Sequence, residues 1–272
     1  MINALSINVE DIFQAVGNPR RMDLKSQDIE RISGQIEKVL KTLDTLQTKA
    51  TFFVIGTIAE AVPALIKRID VGGHEIASMG YQYREIYKHT PVSFREDLKK
   101  SVSLLKGMTG KPVVGYRAPG FSITRETMWA IDILVKNRIK YDCSIFPIRH
   151  PRYGILTAPR IPYRIRPELV EFSPSTIRFL GENFPVAGGA YFRILPYSFI
   201  KKAIESLNNK GIAANSYLHV WEIDPQQPKL KIPFKRRFTH YAGIKTTQER
   251  FERLLVDFQY APISQVIENE RF

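Results

Sequence analysis

Short apolar blocks rich in β-branched and aromatic residues run from Ala4 to Val9, Ala50 to Ile55, Glu75 to Ser78, Val113 to Tyr116 and Ser216 to Val220, a length that suits strands rather than helices. Between these blocks the apolar period changes to that of a helix. From Ile29 onward, Ile32, Ile36, Val39, Leu40, Leu43 and Leu46 keep to one stripe, as a helix buried on one side requires. Ser93 followed by Glu96 has the form of a capping box and predicts a helix start, with Phe94, Leu98, Val102 and Leu105 turned inward. Thr124 predicts a further start, for a helix carrying Met128, Ile131, Leu134 and Val135 into the core. The stretch from Phe146 to Pro174 is rich in Pro, Arg and Tyr and has little helical period. It reads as a long ordered excursion, a type of segment that often carries function.

Strand and helix alternating at this spacing argue for parallel strands with crossover helices, hence an α/β barrel or a doubly wound sheet. A length of 272 residues with 44% apolar and 11% aromatic content supports a large core and excludes a disordered or collagenous chain. It also fits one barrel domain over 1–272, since no internal repeat or low-complexity linker divides it. The single cysteine, Cys143, excludes an intramolecular disulfide and a cysteine-based zinc knuckle. Forty Lys plus Arg against 27 Asp plus Glu give a net charge of +13, which favours an anionic partner without bearing on fold. The first residues lack a basic segment followed by a long apolar stretch, and no window approaches the roughly 18 apolar residues of a membrane span. A cytoplasmic protein with no transmembrane segment is the expectation.

Phosphate-cradling loops and a nucleophile elbow are absent. Instead, short polar motifs follow the predicted strands, where parallel barrels carry chemistry. They are Asn8-Val9-Glu10-Asp11, Ser78-Met79-Gly80-Tyr81-Gln82-Tyr83, Tyr116-Arg117-Ala118-Pro119-Gly120-Phe121-Ser122, Tyr141-Asp142-Cys143-Ser144 and Tyr217-Leu218-His219-Val220-Trp221-Glu222-Ile223-Asp224-Pro225. This series resembles the polysaccharide deacetylase family, the NodB-homology fold, and in particular its branch associated with bacterial surface-polysaccharide assembly. The likeness runs from Ala4 to about Pro262, with a C-terminal family extension inside the same domain. It implies a distorted (β/α) barrel of fewer than eight units.

The resemblance also implies a reaction, removal of an N-acetyl group from an amino sugar. In such a site one Asp and two His hold a divalent metal such as zinc, which polarises the acetyl carbonyl and activates water. A second Asp is the base and a His the acid. Carried over, Asp11 stands at the metal-binding Asp, Arg117 at the base-orienting Arg, Asp142 at the His-orienting Asp and His219 at the acid. Pro119, Phe121 and Trp221 fall at substrate-binding positions. Asn8, however, stands at the base position, and Met79 and Tyr83 stand where the two metal-binding His belong, whose spacing would put them on adjacent turns of a helix. Loss of a general base alone is worth about 10² to 10⁴ in rate, and a thioether and a neutral phenol do not replace imidazoles at zinc. No bound metal cofactor is therefore expected.

Each of these residues also has a plainer interpretation. Asp11 suits a carboxylate capping the next turn, Arg117 a structural ion pair, His219 a satisfied core histidine, and Met79 and Tyr83 packing in a vacated site. Cys143 reads as a buried structural thiol and His74 as scaffold. The basic runs Arg149, Arg152, Arg160, Arg164, Arg166 and Lys229, Lys231, Lys235, Arg236, Arg237 suit solvated faces, or a groove for an acidic or aromatic-stacking sugar. Three functions compete. The first is a catalytically impaired, metal-free deacetylase-like protein that binds a glycan or amino-sugar oligomer, an acidic one included, or a partner protein. The second is an active hydrolase of the non-peptide carbon–nitrogen bond. The third, nucleic-acid binding, is disfavoured because no matching motif accompanies the charge.

Overall fold

The computed structural model describes residues 1–16, 24–150, 152–186, 188–230 and 232–269, apart from the side chains of 15 and 234–236. Its strands are β1 (Ile2–Val9), β2 (Thr51–Val54), β3 (Glu75–Ser78), β4 (Gly115–Tyr116), β5 (Tyr141–Asp142), β6 (Tyr163–Arg166), β7 (Leu169–Glu171), β8 (Thr176–Phe179), β9 (Glu182–Pro185), β10 (Asn215–His219) and β11 (Gln259–Ala261). Between and after them lie α1 (Ile12–Ala15), α2 (Ser26–Thr45), α3 (Gly56–Ala61), α4 (Pro63–Val71), α5 (Pro91–Thr109), α6 (Trp129–Lys136), α7 (Gly189–Ile194), α8 (Tyr197–Asn208), α9 (Phe234–Tyr241), α10 (Thr247–Asp257) and α11 (Ile263–Asn269).

The main sheet runs in the order β10, β1, β2, β3, β4, β5, β7, β6. Every neighbouring pair along it is parallel except the terminal β6–β7 pair, and β11 adds to the start of β1. Helices cover the parallel strands on the outside, which explains why β1 and β2 are almost wholly buried rather than alternating. The sheet curls until its ends nearly meet. Asn215 at the start of β10 donates through Nδ2 to the Phe172 carbonyl at 2.6 Å and accepts at its own carbonyl from the Ser175 amide at 3.3 Å. The two edges are thus tied across the segment after β7, giving the distorted barrel of fewer than eight units and excluding the doubly wound sheet.

The predicted helix from Ile29 is the central part of α2, whose Ile32, Ile36, Val39, Leu40 and Leu43 are buried against the strands. Each such side chain stabilises by about 1.5–3 kcal/mol. The start predicted at Ser93 moves back by a turn. Thr90 is the cap, its Oγ1 accepting from the Ser93 amide at 3.2 Å, while Ser93 Oγ accepts from the Thr90 amide at 3.0 Å, and Pro91 occupies the first helical position as its fixed φ favours. Thr124 caps a 3₁₀ turn, Arg125–Thr127, that leads into α6. The excursion from Phe146 to Pro174 holds the β6–β7 pair, so part of it is barrel wall.

Candidate functional site

Where the parallel strands end, a cavity of about 530 Å³ opens, within the range of small-ligand sites. Asn8 and Glu10 reach it together from the end of β1, because residues two apart on a strand point to the same side. Arg117 enters just after β4 and His219 at the end of β10.

Arg117 is almost fully buried. Its Nη1 donates to Asn8 Oδ1 at 2.8 Å and its Nε to the Cys143 carbonyl at 3.4 Å. The guanidinium lies over the Phe53 ring at 4.2 Å and faces Phe121 and Tyr217, both at 5.6 Å. Its Nη2 has no hydrogen-bond partner, and an unfilled donor on a buried cation is costly. An amide stands where the resemblance places a carboxylate base, so the Arg117 charge meets only a dipole at that point.

His219 is organised by two carboxylates, Glu10 and Glu222, that stand within the sequence motifs but to which the resemblance gives no role. Its Nδ1 donates to Glu10 Oε1, which also accepts from Trp221 Nε1 at 3.4 Å. Asn8 Nδ2 approaches the same Nδ1 at 3.3 Å, but a carboxylate cannot donate and an amide nitrogen cannot accept, so the proton on Nδ1 serves Glu10. Nε2 is left to hold a second proton. Burial pulls the His219 pKa down, Glu10 pulls it up, and the net direction is above the ordinary imidazole value. Glu222, one 3₁₀ turn on, accepts from the His219 amide at 3.0 Å and from Arg193 Nε at 2.6 Å. Arg193 places three further donors on the carbonyls of Thr239, His240 and Ala242 at 3.0, 2.8 and 2.6 Å. This buried ion pair ties the segment around α9 to the cavity, where Trp221 stacks between His219 and His240 at centroid distances of 5.1 and 4.6 Å.

Of the residues singled out in the sequence, Asn8, Met79, Tyr83, Arg117, Phe121, His219 and Trp221 line the cavity; Asp11, Pro119 and Asp142 do not. Asp11 caps α1, accepting from the Phe13 amide at 2.8 Å, and pairs with Arg31 at 2.7 Å. Being an odd number of residues from Asn8, it turns away, and Glu10 takes the place in the cavity expected of it. Asp142 makes no hydrogen bond to His219, contrary to the role the resemblance implies. It is buried beside Glu171 and accepts from Ser144 Oγ at 2.5 Å, and burial lifts its pKa to about 6. Pro119 is buried in the turn Pro119–Phe121.

The segment from Met79 to Tyr83 is not helical, so the adjacent-turn argument does not apply to it. Burial, then the charges of Glu10 and Glu85, hold the Tyr83 phenol well above its usual pKa, which keeps it neutral and a poor metal ligand. With Glu10 and His219 bonded to one another and a thioether at Met79, the donors do not suit zinc. No group of three or more His, Cys, Asp or Glu among the described residues is placed to hold a metal ion.

Aromatic rings form one wall. Phe121 packs against Phe146 and Tyr217, both at 5.3 Å, and Tyr153 stacks on His150 at 3.7 Å. Phe121 has φ 53°, a strained value for an aromatic residue and one that persists where surrounding packing enforces it. The basic runs are divided. Arg152 lines the cavity, Arg166 pairs with Asp132 at 2.9 Å, and Lys231 and the side chains of Lys235 and Arg236 lie outside the described residues. Strand alternation from Asn8 would have found Glu10, and the spacing of His219 and Glu222 resembles a capping box. Arg193 carries no local signal, since its partners lie 29 or more residues away.

The polysaccharide deacetylase family matches residues 27–135, and a family described as a domain of unknown function (DUF3473) matches residues 143–268. The peptidoglycan deacetylase of Helicobacter pylori is 33% identical over 110 residues, 40% of this chain and 36% of that protein. The peptidoglycan deacetylase-like protein FGM2 of Gibberella zeae is 33% identical over 112 residues, 40% of this chain and 32% of that protein. The chain thus spans about a third of the length of these curated relatives. Among solved structures, a Mycobacterium smegmatis protein classed as a polysaccharide deacetylase superposes with TM-score 0.63 at 18% identity, over 98% of this chain and 90% of the other. Puue allantoinase does so with TM-score 0.58 at 15% identity, over 95% and 85%. BA3943 of Bacillus anthracis, a CE4 family pseudoenzyme, does so with TM-score 0.53 at 10% identity, over 100% and 67%. At these identities the structural likeness establishes the fold.

Proposed function

The chain belongs to the polysaccharide deacetylase family, of the NodB-homology type, and from that premise we propose that it binds an N-acetylated amino-sugar chain in bacterial surface-polysaccharide assembly with hydrolysis impaired. One observation carries this reading. The cavity keeps Arg117, His219 and an aromatic wall, while the family's base is Asn8, already accepting from Arg117, and the metal-binding His positions are Met79 and Tyr83. The family is generally metal-dependent, and a bound metal would supply carbonyl polarisation and an activated water. The residues here do not fit one. The same fold occurs in BA3943, a CE4 family pseudoenzyme, of which a mutant with restored enzymatic activity exists, so this fold is compatible with an impaired site.

The bonded pair of Glu10 and His219 favours a second reading, hydrolysis without metal. Glu10 would take the proton of the attacking water and His219, its pKa raised, would protonate the departing amine. Calorimetric titration with oligomers of N-acetylglucosamine in the presence of a chelator tests the binding claim. Affinity that survives chelation and falls at least tenfold in Trp221→Ala is the expected result. No heat of binding from any N-acetylated oligomer overturns it.

A further inference from the structure

The hairpin of β8 and β9 stands off the main sheet, and Phe179 pairs with Glu182 at its tip. Its two-residue turn is Leu180-Gly181, with φ 49° and 81°. Positive φ at both positions defines the turn type that favours Asn-Gly, since a side chain such as leucine is strained there. Leu180 is nonetheless 89% exposed and Phe179 48% exposed. The tip therefore bears backbone strain and exposes apolar surface, and the high exposure of Leu180 leaves little contact within the described chain to offset either cost.

Below the tip, between the hairpin and α8, lies a groove of about 270 Å³. Ile177 and Phe199 contribute to its apolar surface, and its charged residues are Arg160, Arg178, Lys202 and Lys210, with no carboxylate lining it. Arg178 donates to Asn183 Oδ1 at 2.9 Å and Arg160 to the Thr176 carbonyl at 3.4 Å. Both contacts are with neutral groups, so the charges stay uncompensated. Glu205 on α8 and Glu182 on β9 are exposed but do not line the groove. The apolar and basic features are continuous, because the Phe179 ring packs edge-on to Phe199 at 6.2 Å.

We propose that this face docks on an anionic membrane surface, with the Phe179-Leu180 tip entering the interface and Arg160, Arg178, Lys202 and Lys210 meeting lipid headgroups. An exposed apolar tip gains by leaving water, and basic residues beside it gain from the negative surface potential. Neither a soluble anion nor a nucleic acid would use the tip. No helix among the described residues is long and apolar enough to cross a membrane, so attachment by this face is peripheral and reversible.

Vesicle flotation with the whole chain tests the proposal. Partition onto phosphatidylcholine vesicles containing phosphatidylglycerol, little onto phosphatidylcholine alone, and loss near 1 M salt, where the Debye length is about 3 Å, are expected. Leu180→Asn suits the turn, so its melting temperature should not fall, yet partition should drop about tenfold with the lost apolar contact. Lys202→Gln and Lys210→Gln should each lower it roughly fivefold. Because Cys143 is buried, an environment-sensitive dye attached to Leu180→Cys reports the tip alone, and its emission should shift to the blue on anionic vesicles. Absence of partition, partition untouched by Leu180→Asn, or inorganic phosphate occupying the groove while vesicles remain unbound would each overturn the proposal.

Discussion

Replacing Arg193 by methionine removes a guanidinium whose side chain is 2% exposed and whose partner Glu222 is fully buried. The carboxylate of Glu222 keeps its bond from the His219 amide, and the carbonyls of Thr239, His240 and Ala242 lose their donor. Breaking a buried pair from one side costs about 3–5 kcal/mol because the surviving charge stays buried. For a chain of this size each kcal/mol moves the midpoint by about 2–4 °C, so Arg193→Met should melt on the order of 10 °C lower. The double variant Arg193→Met with Glu222→Gln removes the stranded charge and should recover roughly half of the loss. Urea unfolding of the four proteins in the cycle measures the coupling directly. A second readout is local. Burial and then Arg193 hold the His240 pKa down to about 4, so in Arg193→Met it should rise toward the ordinary value, followed by NMR of the imidazole. A single variant within 1 kcal/mol of the parent, or a double variant less stable than the single one, would refute the claim that this pair anchors the α9 segment.

Two further substitutions are informative. Glu10→Gln removes the charge that lifts the His219 pKa, so the His219 titration should move down. Because that pair stabilises below the unfolded imidazole value and loses its contribution as pH rises through the folded value, the variant should lose most stability in mild acid, as urea midpoints against pH would show. Asp142, lifted to about 6 by burial, acts in another window. Between about pH 4 and 6 the folded state keeps a proton the unfolded state has released, so stability declines as pH rises there. The neighbouring Glu171 is also held well above the usual carboxylate range, by burial and then by Asp142, so Asp142→Asn should lessen the decline of the pair and leave the variant more stable than its parent at pH 8. The difference between variant and parent isolates the contribution of the buried pair Asp142 and Glu171 from that of His74 and His89, whose pKa values burial lowers to about 4 and which act in the opposite direction. A variant no more stable than its parent at pH 8 would contradict the assignment.

The barrel was legible because buried parallel strands leave near-continuous apolar runs, and the blocks from Ala4 and Glu75 needed no help from tertiary context. Strand β7 was not, since Leu169–Glu171 is too short to show a period and gains its place only by pairing with β5 and β6. Local chemistry misplaced one helix start, because Ser93 answers Thr90 across the first turn after Pro91. The site divides similarly. Asn8, Arg117 and His219 lie at or just beyond the ends of strands and could be placed in order. Asp11 could not be told from Glu10 by motif, although strand alternation separates them. The bonds from Arg193 to Glu222 and to the α9 carbonyls join segments far apart in sequence, so nothing near either end announces them.

The measurement that bears most directly on the central claim is acetate release from oligomers of N-acetylglucosamine, with zinc or cobalt and with a chelator. It compares the unmodified protein with the triple variant Asn8→Asp, Met79→His and Tyr83→His. The account predicts no metal-dependent turnover from the unmodified protein, whose donors at the cavity do not suit the ion. It predicts metal-dependent release only when base and imidazoles are restored together, since such residues act as a unit. Robust turnover by the unmodified protein that requires added metal and stops on chelation would contradict it.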